Sequence, residues 1–192
     1  MKPKDMLKSF FQGIKKPLLT IIILSLFLTF IPFEVMITNN LNPLIFGIAF
    51  FLANRQMINY NIVIGLLLTI TASYVAFFAG LLSFFGLASL IELITNENIE
   101  PEIYIIISGL IACLTLYLIF TKIYKTVQIK KGIIIIISSY LLVPFVVVIF
   151  PLLFQKTLRS EFFMLYNLVW LLVVGFFLTL TINLNESKIY AV

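Results

Sequence analysis

Apolar residues run through this chain in long unbroken blocks, not in the period-two alternation of a half-buried strand or the one-sided stripe of a surface helix. Pro17–Ile37, Ile103–Thr121, Gly132–Phe154 and Phe162–Ile182 each supply about the 20 residues needed to cross a ~30 Å hydrocarbon core as a helix. Two blocks fit less simply. Pro43–Ala53 is too short to cross alone, although Asn42 and Asn54–Met57 could extend it at the interfaces with local bilayer thinning. Ile62–Ile91 is too long for one upright span and reads as a tilted helix whose last turns enter the interface, with Gly80 and Gly86 as candidate bends. The pattern predicts an all-α, polytopic membrane bundle of six transmembrane helices, the second one short. Residues 1–192 form one domain, because the longest polar stretch, Asn96–Glu102, is too small to fold by itself.

Composition agrees with this reading, and charge orients it. The chain is 62% hydrophobic and 11% charged, whereas a soluble domain carries roughly 25% charged residues. Lysines cluster in the basic segment 1–16 (Lys2, Lys4, Lys8, Lys15, Lys16) and again at Lys122, Lys125, Lys130 and Lys131, while the loop between holds Glu92, Glu97, Glu100 and Glu102 and no cation. The positive-inside rule then predicts a multi-pass protein of the cytoplasmic membrane with both termini, Arg55 and the 183–192 tail in the cytoplasm. Lys156 and Arg159 fall outside, partly offset by Glu161. Pro17–Ile37 is longer than a signal-peptide core and lacks a small-x-small cleavage site, so it reads as a retained span. The isoelectric point near 9.3 follows from topology and from attraction to anionic lipid, worth about 1 kcal/mol per cation. Membrane lipids are expected partners and nucleic acid is not.

Missing residue types exclude much chemistry. The chain has no histidine, one cysteine (Cys113) and one aspartate (Asp5). A Ser/His pair, a histidine-ligated zinc, an aspartate dyad and a thiol relay within the chain are therefore impossible. No glycine-rich phosphate loop is present, so any ATP would be used by a partner. A Ser/Lys dyad has no support, since Ser138 and Ser139 lie more than a turn from Lys131. The expectation is a non-enzymatic protein without cofactor or metal.

Several positions stand out against the apolar background. Ala72, Ala76 and Gly80 recur every fourth residue in the third helix, and Ser108 and Ala112 offer a matching face in the fourth, the small-xxx-small pattern of close helix approach. That face would serve packing within the bundle or docking of another protein. Pro144 should kink the fifth helix and act as a hinge beside Ser138, Ser139 and Tyr140. Ionisable and polar groups at membrane depth are costly and so are candidate sites. Glu34 reads as an interfacial carboxylate or as an outer proton or cation site. Asn54, Arg55, Gln56 and Asn59 read as a polar turn or as an anion site, with Arg55 gripping a charged group. Phe77, Phe78, Phe84 and Phe85 would face lipid or line an apolar cavity. Tyr60, Tyr104, Tyr124 and Tyr190 fall where an interfacial belt would lie.

In size, span count and orientation the chain is similar to the substrate-binding subunits of energy-coupling-factor transporters, in outline only, because Pro17–Ile37 lacks the alanine-rich motif of their first helix. That resemblance implies a binding or membrane subunit of a transport system, working with an energising partner. Two other roles fit the residues: an immunity, interaction or assembly factor that binds another membrane protein through the third-helix face, and a lipid-headgroup-handling enzyme or flippase built on Arg55.

Overall fold

A computed structural model of the chain describes residues 3–30, 40–95, 101–125, 129–142 and 159–183. Among the described residues the chain is all-helical: α1 (Pro3–Phe30), α2 (Asn42–Asn54), α3 (Ile62–Thr95), α4 (Pro101–Ile123), α5 (Ile129–Tyr140) and α6 (Arg159–Asn183). α1 begins well before the apolar block and carries the basic segment in the same helix, running through Pro17. α3 is one continuous helix of 34 residues, unbroken at Gly80 or Gly86. Two helical stretches, Ile62–Ile94 and Tyr104–Ile123, are long and apolar enough to cross a membrane, and Val169–Ile182 in α6 is a shorter apolar segment.

Local chemistry sets the limits of α2. Asn40 adopts a left-handed conformation with φ of 51°, which asparagine tolerates better than most residues. Pro43 stands in the first turn of the helix, where its missing N–H costs nothing. At the other end Arg55–Met57 tighten into a 3-10 turn and Ile58 becomes extended. Asn61 then starts α3, its Oδ1 accepting the Ile64 N–H at 2.9 Å, as a helix cap requires.

The six helices close a ring: each packs on its neighbours in the chain, α6 returns to α1, and α2 also touches α6 across the middle. α2 is the hub, with nine of its 13 residues buried. Its Phe50 ring lies 4.5 Å from Phe120 and 5.4 Å from Tyr124, and Phe46 lies 5.9 Å from Trp170. Leu24 of α1, Ala72 and Ala76 of α3, Leu116 of α4 and Leu178 of α6 complete the core around it. Outward faces are apolar as well, including Leu67, Leu82 and Phe85 on α3 and Leu118 on α4.

One end of the ring is tied by polar contacts. The Thr20 and Thr179 hydroxyls are 2.8 Å apart, and Asn54 donates from Nδ2 to Thr179 at 3.2 Å and to the Phe50 carbonyl at 2.9 Å. Beside this clasp, the Asn59 N–H donates to the Ile123 carbonyl and the Lys125 N–H to the Met57 carbonyl, at 3.0 and 2.8 Å. Tyr124 and Thr69 share a 2.7 Å hydroxyl contact below them. The turn after α2 is therefore tied to the end of α4, while Asn54 at the end of α2 and Thr20 of α1 both meet Thr179 of α6.

Candidate functional site

α2 is about 20 Å long at 1.5 Å per residue, roughly 10 Å short of the hydrocarbon thickness. Its neighbours continue past it. A cavity of about 300 Å³ opens over its N-terminus, walled by α3, α4 and α6. Phe46, Phe77, Phe84 and Trp170 make most of the apolar wall, with Ser73, Ser108 and Asn42 as polar punctuation.

The polar groups differ in what they have left to offer. Ser73 and Ser108 donate to their own helices, to the carbonyls of Thr69 (2.9 Å) and Tyr104 (2.5 Å), and Trp170 Nε1 reaches the Gly109 carbonyl at 3.4 Å. Each donor is thereby used, while the serine oxygens keep acceptor capacity. Asn42 Oδ1 is buried with no hydrogen-bond partner among the described residues. Such an acceptor costs about 1–3 kcal/mol if left unpaired. Among the described residues no lysine, arginine or carboxylate lines the cavity. The arrangement suits a neutral molecule with an apolar body and a hydroxyl or amide donor, and disfavours an ion.

The small-residue face explains how α3 and α4 approach closely enough to wall this space. A Cβ added at Gly80 would meet the Ala112 Cβ at 3.1 Å and the Ser108 carbonyl at 3.4 Å, and Ala72 and Ala76 are buried. These residues thus pack within the chain. Phe77 and Phe84 are half-buried against the cavity; Phe85 reaches only its rim and, at 62% exposed, faces outward like Phe78 at 53%.

The polar cluster after α2 is divided between three surroundings. Asn54 is fully buried in the Thr20–Thr179 clasp. Asn59 is exposed and uses its backbone to bond Ile123. Arg55 and Gln56 join Lys15 and Lys16 around a second cavity of about 280 Å³. Residues 15 and 55 are far apart in sequence, and only the fold shows that the two lysines share this opening. Tyr104 and Tyr124 also depart from expectation, being buried instead of belting an interface: Tyr104 packs edge-on to Phe84, and Tyr124 bonds Thr69. Burial pushes the Tyr124 phenol above its ordinary range, against a smaller lowering from the Thr69 hydrogen bond, so it stays protonated at neutral pH. Glu34 and Pro144 lie outside the described residues. Among those described, no group of carboxylates and thiols could hold a metal ion.

Comparison with protein-family models, with curated proteins and with solved structures finds no match to this chain, so its role has to be argued from its own residues.

Proposed function

We propose that this chain is a six-span protein of the cytoplasmic membrane, with both termini inside, that binds a neutral, largely apolar ligand in the cavity over α2 and performs no chemistry itself. It acts as the substrate-binding or membrane subunit of a transport system whose energy comes from a partner. The cavity carries the proposal, because a buried acceptor facing an apolar space of ligand size is the expected form of a small-molecule site. Exposed apolar faces on α1, α3, α4 and α5 support immersion in lipid, since a water-soluble monomer rarely exposes large contiguous apolar patches. The packing of Gly80 on Ala112 favours ligand binding over docking of a protein partner on that face.

Trp170 is the chain's single tryptophan and lines the cavity, so its fluorescence reports occupancy. Titrating the detergent-solubilised protein with bulky aliphatic and aromatic alcohols should give a saturable change in Trp170 emission. The change should shrink at least tenfold in a Leu81→Phe/Ile105→Phe variant that fills the space. A carboxylate of the same shape should bind far more weakly, because nothing in the wall compensates its charge. Equal binding of alcohol and carboxylate, or no saturable change with any of them, would overturn the proposal.

A further inference from the structure

The geometry points to a second site: the pocket between α1 and the turn after α2 holds the phosphate of one anionic phospholipid. Lys15, Lys16, Arg55 and Gln56 converge on this opening, and Leu19 and Leu52 form its apolar side. Among the described residues no carboxylate lines it. A phosphate diester fits the donor set, since Arg offers a planar fork and Lys a point charge, both suited to phosphate oxygens.

Two further observations separate a built pocket from a loose basic patch. Its arms are fixed from behind. The Lys16 carbonyl accepts the Thr20 hydroxyl at 3.1 Å, Thr20 meets Thr179, and Asn54, adjacent to Arg55, bonds Thr179 as well. The backbones carrying Lys16 and Arg55 are therefore held at a set separation by a buried clasp. Below the cations, Leu19, Ile22, Leu26 and Phe30 are exposed by 42, 55, 52 and 79%, and their spacing puts them on one face of α1. From residue 19 to residue 30 that face extends about 16 Å at 1.5 Å per residue, close to half of a ~30 Å hydrocarbon core. Cations above a one-leaflet apolar track match a headgroup with its acyl chain, which free phosphate in water would not need.

The test is native mass spectrometry of the full chain in detergent, titrated with phosphatidylglycerol, phosphatidylcholine or inorganic phosphate. The site predicts one retained phosphatidylglycerol per chain, weaker retention of phosphatidylcholine, and no displacement by millimolar phosphate. At about 1 kcal/mol per cation, each removed charge should lower retention about fivefold. Lys15→Ala/Arg55→Ala should then lose more than tenfold, and Arg55→Lys should restore part of it. A Lys122→Ala/Lys125→Ala variant removes as many charges from exposed positions that do not line the pocket and should lose less. Equal loss in both sets would mean diffuse attraction, and displacement by inorganic phosphate would mean a soluble-anion site; either overturns the proposal. If the double variant does not fold, the exposed Lys15→Ala alone decides it, with unchanged retention counting against the site.

Discussion

Two asparagines bracket α2 and have opposite standing. Asn54 is fully buried and its amide nitrogen reaches both the Phe50 carbonyl and Thr179, so the group repays its desolvation. Asn42 leaves its oxygen buried and unpartnered among the described residues, a cost relieved when a donor arrives. Replacing each by leucine, which is larger but branches at Cγ in the same way, should therefore move stability in opposite directions. Asn42→Leu is expected to stabilise the unliganded protein by about 1–3 kcal/mol and Asn54→Leu to destabilise it by a similar amount, both read by thermal denaturation in detergent. Asn42→Leu should also weaken the preference for an alcohol over the matching hydrocarbon in the Trp170 titration, since the buried acceptor left unpartnered among the described residues is gone. A destabilised Asn42→Leu protein would mean that this oxygen does structural work within the chain.

At the scale of elements, the short second helix decides where the space is, and its closeness to α3 rests on one residue. A Cβ at Gly47 would come within 2.9 Å of the Ile70 backbone, and backbone cannot swing aside as a side chain can. Gly47→Ala should force α2 and α3 apart and cost about 1–3 kcal/mol, the usual range for overpacking. Gly86 is the control: a Cβ there meets nothing within 4 Å, so Gly86→Ala should be neutral or stabilise by up to about 1 kcal/mol. Thermal midpoints of the two variants, measured side by side, check the pair. The existence of α2 was legible, because an apolar run opened by Asn-Pro and closed by a polar cluster has few other readings. Its place as the hub was not, since an 11-residue run looks peripheral when judged against membrane thickness alone. Continuity of α3 agrees with the reading of residues 62–91 as one tilted helix, and Gly80 and Gly86 do not break it: a glycine permits a bend, and only the packing of α3 on α4 determines whether one occurs.

For the whole molecule, contacts between distant segments constrain how many times the chain crosses. Lys16 and Arg55 line one pocket, Met57 and Lys125 share a backbone hydrogen bond, and Thr20 meets Thr179. In a membrane, segments that touch lie at the same depth, so the proposed crossings must separate the members of each pair by an even number. The lysine distribution leads to the same expectation from charge alone, and the all-helical character could be read from sequence, whereas the cavity, formed by side chains from four helices, could not. Cysteine labelling tests the topology directly. Cys113 is buried and can be replaced by alanine to give a thiol-free background. Gln56→Cys and Lys125→Cys, both exposed positions at the tied end, should react with a membrane-impermeant maleimide only after the membrane is opened. Glu97→Cys should react in intact cells, because in the proposed arrangement α3 and α4 each carry the chain across once. Labelling of positions 56 and 97 from the same side would leave α3 uncrossed despite its 34 residues, and the six-span arrangement would fall with it.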